Sequence, residues 1–116
     1  RAYPREEEKR LSFPPFEIDI AHGEVRRNGE RIELTPKEFE LTVVLFRNVG
    51  RLLSRGHLQE SVWGRSGDLV TRTVDTHVSQ VRKKLDLRVE TGFRVVPIYN
   101  YGYRLEKTGE DASSAA

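Results

Sequence analysis

The hydrophobic period of this chain changes twice along its length, and that restricts the folds open to it. Over residues 16–34 the apolar residues alternate with polar ones: Phe16, Ile18 and Ile20 oppose Glu17 and Asp19, and Ile32 and Leu34 oppose Arg31 and Glu33. Alternation of this kind is the signature of half-buried strands. His22-Gly23 is a turn, Val25 opens a short strand, and Asn28-Gly29 is a strong two-residue hairpin signal, so an antiparallel meander with one buried face is predicted.

The period then becomes helical. Thr35-Pro36-Lys37-Glu38 reads as a helix start, with an N-cap, a proline in the first turn and a glutamate placed to close a capping box. Phe39, Val43 and Phe46 recur at helical spacing, Leu41, Val44 and Leu45 widen the stripe, and Gly50 follows as a stop. Leu52-Leu53 reads as a short extended link. Ser54 caps a second helix carrying Leu58, Val62 and Trp63, and Gly64 ends it. Residues 64–71 read as a loop, and a third helix is expected from about Arg72 to Leu87. Val89 to Leu105 returns to strand character with a bend near Asn100, a terminal hairpin. An N-terminal antiparallel sheet, three helices and a C-terminal hairpin make an α+β winged helix-turn-helix.

Composition sets the limits of that fold. The 116 residues make one domain, expected over 13–106, with a charged linker over 1–12 and a disordered tail over 107–116. Leu, Ile, Val and Phe supply 32 residues, enough for a modest core. There is no cysteine, hence no disulfide framework and no thiolate metal site, which fits a reducing compartment. No apolar run has membrane-spanning length. The absence of methionine suggests a piece of a longer protein or a processed product. Net charge is +2, but its distribution is uneven: residues 1–60 hold 11 basic and 11 acidic side chains, and residues 61–106 hold 8 and 5. An anionic partner for the second half follows.

The third helix carries the most specific signal. At about 100° per residue, Val74, Val78, Val81 and Leu85 form one narrow stripe, which is packing. Thr73, Thr76, His77, Gln80, Lys83 and Lys84 occupy a neighbouring face without a carboxylate. An ordinary solvated face mixes both signs of charge. This one offers the groups that read DNA: a glutamine can pair with adenine, a threonine methyl can meet a thymine methyl, and lysines meet phosphate or guanine. Asp75, Ser79 and Arg82 share the remaining face. Asp75 suits an anchor to a neighbouring element better than a DNA contact, and a structural pairing with Arg82 two turns away is an alternative use of both.

Five stretches in register resemble a known family: Leu34–Leu41, Ser54-Arg55, Val62–Gly64, Arg72–Val78 with Arg82–Leu85, and Gly102–Leu105. Together they look like the DNA-binding domain of OmpR/PhoB-type response regulators over about residues 13–106. The resemblance implies a cytoplasmic transcription factor, the output half of a two-component system, preceded by a receiver domain. It implies a homodimer on direct-repeat double-stranded DNA, with the third helix in the major groove and the wing along the minor groove.

Residue by residue, the resemblance implies phosphate contacts from Trp63, Arg72, Thr73, His77, Ser79 and Arg82, with Lys83 and Lys84 adding charge. Thr76 and Gln80 fall at base-reading positions. The loop holding Arg65, Ser66, Gly67, Asp68 and Leu69 lies where members of the family contact RNA polymerase. In the wing, Tyr99 stands where the family often has a minor-groove arginine. Either Asn100 reads the minor groove in its place or the wing touches backbone alone, and Tyr103 is expected to pack inward.

Competing functions find less support. The histidines His22, His57 and His77 form no HxxxH pair, Asp75 and His77 point apart on their helix, and there is no P-loop or dinucleotide fingerprint, so neither an enzyme nor a metal or cofactor site is indicated. A winged helix used for protein contact predicts an apolar or mixed outer face. RNA binding predicts an aromatic stacking platform. Neither is in the sequence.

Overall fold

The computed structural model describes residues 9–64 and 71–108. Four short strands, β1 (Arg10–Phe13), β2 (Phe16–Asp19), β3 (Glu24–Arg27) and β4 (Glu30–Ile32), form an antiparallel sheet in sequential order. Three helices follow: α1 (Pro36–Arg47), α2 (Arg55–Trp63) and α3 (Thr71–Leu85). A second sheet combines β5 (Leu52–Ser54), β6 (Phe93–Ile98) and β7 (Gly102–Lys107) in the order β5-β7-β6. This is the winged helix-turn-helix that the periods predict, with additions.

Local chemistry accounts for the boundaries. Asn28 and Gly29 both take positive φ, 54° and 84°, as a two-residue hairpin turn of the I′ type requires, and Arg27 pairs with Glu30 across it. Thr35 accepts from the Glu38 N–H while Glu38 accepts from the Thr35 N–H, so the predicted capping box is formed. Ser54 Oγ accepts from the His57 N–H and caps α2.

The third helix ends at Leu85, two residues before the predicted limit. Asp86 turns left-handed at φ 56°, and the N–H groups of Asp86 and Leu87 return to Lys83 and Arg82. That closure is a Schellman motif with aspartate in the position glycine usually takes, and it drops Leu87 into the core.

Three further differences concern strands. The sheet begins at Arg10, inside the stretch expected as linker, because Leu11 and Ser12 pair with Ile18 and Glu17. Leu52-Leu53 belongs to a strand paired with Arg104 and Tyr103 of β7. Val89–Thr91 is a single 3-10 turn, and extended structure starts only at Phe93 and runs to Lys107, two residues past the expected Leu105.

The core lies where both sheets meet the helices. Phe16, Phe46 and Phe93 are fully buried, with ring centroids 5.3–5.9 Å apart, and Phe13 leans on Phe46 at 5.3 Å. Val74, Val78, Val81 and Leu85 bury the predicted stripe of α3 against this core.

Candidate nucleic-acid interface

Burial of that stripe decides what α3 presents outward. At about 100° per residue, the side opposite the stripe carries Arg72, Thr73, Thr76, Ser79, Gln80 and Lys83. Arg72, Thr76, Ser79, Gln80 and Lys83 are exposed, and Thr73 is half-buried. None of the six side chains makes a hydrogen bond or ion pair among the described residues. No carboxylate lies on this face. Their donors and acceptors are left to whatever the helix meets.

The flanks of α3 are tied down. On the wing side, Asp75 Oδ1 accepts from Arg55 Nε at 2.8 Å and from the Tyr103 hydroxyl at 2.6 Å. The Arg55 guanidinium also sits 5.7 Å from the Tyr103 ring centroid. Burial alone raises the Asp75 pKa, but the two hydrogen bonds and the Arg55 charge outweigh it and hold the carboxyl below its ordinary value. Burial, then Asp75, pushes the Tyr103 hydroxyl up to about 12. Asp75 is therefore the expected anchor: one carboxylate joins α2, α3 and β7. Arg82 is not its partner. It lies farther along the same flank, exposed and without an ion pair among the described residues.

On the opposite flank, Lys84 Nζ reaches Glu38 Oε1 at 2.7 Å. Glu38 is buried on α1, and that burial raises its pKa. The Lys84 ammonium, the Thr35 N–H and the His77 charge more than offset it, leaving the carboxyl below its usual range. Lys84, expected at phosphate, is thus engaged inside the protein by a residue 46 positions away. His77 Nδ1 bonds the Thr73 carbonyl at 2.9 Å. A carbonyl only accepts, so Nδ1 carries a proton, and Nε2 makes no bond among the described residues. Trp63, half-buried at the end of α2, stands edge-on to His77 at 4.8 Å, and its indole N–H has no partner among the described residues.

The wing is β6 and β7, joined by a turn in which the Tyr101 N–H returns to the Ile98 carbonyl and Asn100 takes φ 59°. Tyr99 is 90% exposed at its tip and Tyr101 is 47% exposed, whereas Tyr103 packs inward as expected. Strand β5 holds the turn end of the wing: the Arg55 N–H donates to the Tyr101 carbonyl, and Ser54 pairs with Gly102. Residues 65–69, expected as a polymerase-contact loop, lie outside the described residues. Among the described residues there is no cluster of metal-ligating side chains, and no helix is long and apolar enough to cross a membrane.

A buried-stripe helix presenting an acid-free polar face beside a β-wing defines a winged-helix domain of the DNA-binding type. The chain belongs to the family described as transcriptional regulatory protein, C terminal, whose model matches residues 29–105. It is 38% identical over 96 residues to the sensory transduction protein RegX3 of Mycobacterium tuberculosis, covering 83% of this chain and 42% of that protein. It is 39% identical over 94 residues to the DNA-binding response regulator MtrA of the same organism, covering 81% and 41%. The DNA-binding domain of Klebsiella pneumoniae RstA, solved in complex with the RstA box, superposes with a TM-score of 0.73 at 28% identity, over 84% of this chain and 97% of that one. The OmpR/PhoB-type resemblance is borne out, and the chain spans about two fifths of the length of these curated relatives.

Proposed function

We propose that this domain binds double-stranded DNA sequence-specifically and regulates transcription as the cytoplasmic effector part of a two-component response regulator. The observation that carries the proposal is the outward face of α3, with six side chains that have no partner among the described residues and no carboxylate among them. In this reading α3 enters the major groove and the wing follows the minor groove. Thr76 and Gln80, central on the face, read base edges. Arg72, Thr73, Ser79, Lys83, Arg82, Trp63 through its indole N–H and His77 through an Nε2 N–H hold phosphates. Lys84 acts indirectly, by fixing α3 to Glu38. Tyr99 and Asn100 meet the minor groove without a cation. Two copies bind a direct repeat, a receiver domain precedes this one, and the loop of Arg65 to Leu69 faces RNA polymerase.

The test begins with duplexes selected from a random pool and titrated at several salt concentrations. Gln80→Ala is expected to cost about 1–3 kcal/mol on the selected site and to relax preference at one base pair. Arg82→Ala is expected to weaken selected and scrambled duplexes alike and to reduce the salt slope by about one unit. Absence of any mobility shift at low salt would remove the DNA-binding reading and leave a protein-contact module. Equal weakening of both duplexes by Gln80→Ala would take base reading away from the centre of α3.

A further inference from the structure

Between the C-terminal half of α3 and strand β6 lies an open concavity of about 580 Å³. Its floor is the buried Leu87 and Val95, and its lining carries Arg82, Lys83, Arg88 and Arg94 with Asp86, while Glu90 and Glu106 stand behind Arg88 and Arg94. The four cations are not equivalent. Arg88 is committed: Nε and Nη2 donate to the two Asp86 oxygens at 2.7 and 3.1 Å, and Nη1 reaches Glu90 at 3.4 Å. Arg94 gives Nε and Nη2 to Glu106 Oε1 at 3.2 and 3.1 Å, and its Nη1 makes no bond among the described residues. Glu106 is itself fixed from the other side by Arg104 Nε at 2.8 Å, so it sets the plane of the Arg94 guanidinium. Arg82 and Lys83 form no ion pair among the described residues. Lys83 also belongs to the outward face of α3, so concavity and face are continuous.

We propose that this concavity seats one phosphodiester group of duplex DNA, held by Arg94 together with Arg82 and Lys83. The inference rests on the DNA-binding reading. A helix in one groove and a wing in the next leave a single sugar-phosphate strand between them, and this concavity opens between α3, the link 86–89 and the first residues of β6. Guanidinium forks suit phosphate oxygens, and the Glu106 contact holds one of them ready. Arg94 escaped the sequence reading because it stands in the wing strand rather than on α3, and only the fold brings it beside Arg82.

The experiment compares wild type, Arg94→Gln and Arg94→Lys on a duplex that the wild type binds and on a scrambled one. Arg94→Gln is expected to reduce the salt slope by about 0.9 on both duplexes, so that its deficit shrinks about threefold between 50 and 200 mM salt, and Arg94→Lys is expected to keep the wild-type slope. The Arg94 side-chain N–H signal, followed by NMR, is expected to move on adding duplex. An unchanged slope in Arg94→Gln would overturn the proposal and leave the DNA-binding reading intact. So would a signal that moves with inorganic phosphate but not with duplex, which would make the concavity a small-anion site. A wild type that binds no duplex would fail both readings together.

Discussion

At the scale of single residues, the arrangement turns on a carboxylate that DNA would repel. Asp75 lies in the first turns of α3, beside the face left for a ligand, and its charge is answered by Arg55 and Tyr103 before any ligand arrives. The pairing makes stability depend on pH at both ends of the scale. The Asp75 carboxyl is depressed, so its contribution is present above the ordinary value of 3.8 and is lost as pH falls through the lower folded value. The Tyr103 hydroxyl is raised from 10.0 to about 12, so the neutral phenol stabilises the fold fully below pH 10 and ceases to as pH rises through about 12. Melting temperatures measured from pH 9 to 12 are therefore expected to fall less steeply in Tyr103→Phe than in wild type. An alkaline limb of equal size in both would show that the Tyr103–Asp75 hydrogen bond does not contribute.

At the scale of elements, the wing is held by contact with β5, and Gly102 permits that contact. A Cβ at Gly102 would overlap the Leu53 carbonyl oxygen and come within 2.8 Å of the Ser54 Cα, both backbone atoms that no side-chain rotation can move. Gly102→Ala is expected to destabilise the domain by about 1–3 kcal/mol, the usual cost of overpacking, and to weaken DNA binding by displacing the wing. Gly56→Ala on α2, where the added carbon would meet only Ser54 Oγ at 4.0 Å, is the control and is expected to cost nothing. Denaturant melts of both variants check this, and equal stability of the two would contradict the close approach.

The same elements show what sequence makes legible. The Thr35–Glu38 capping box and the Asn28-Gly29 turn were readable because each is chemistry among neighbours in the chain. The buried stripe of α3 followed from period alone, and with it Thr73, Thr76, Gln80 and Lys83 of the outward face; His77 and Lys84, expected beside them, bond within the domain, and Arg72 and Ser79 stand there instead. Strand β5 was not readable: three residues have too little pattern, and their partners on β7 lie about fifty positions away. Strand β1 alternates only twice, so Leu11 and Phe13 signalled weakly, and only the hairpin register sets them opposite Ile18 and Phe16. Lys84 looked like its neighbour Lys83 on the helical wheel, and only the packing of α1 against α3 brings Glu38 to it.

At the scale of the whole molecule, the proposed binding to a direct repeat would set two copies head to tail along the duplex, each in the same orientation. Repeats about 10–11 base pairs apart place both copies on the same side of the duplex. Inserting about five base pairs turns the second copy to the opposite side, and gel-shift titrations are expected to show cooperativity lost. Cooperativity that survives the insertion would mean that the copies do not touch. The order of the second sheet also bears on how the molecule is made. Strand β7 lies between β5 and β6, supplies Tyr103 to Asp75, and follows the other described elements in the chain. A nascent polypeptide ending before Gly102 leaves β5 and β6 with no partner in that sheet and Asp75 without its phenol. Synthesis that stops early is thus expected to yield a product unable to hold its reading helix and wing in register, so that occupancy of the operator is reserved for finished molecules. Truncation at residue 101, assayed for duplex binding and for a cooperative melt, checks that expectation.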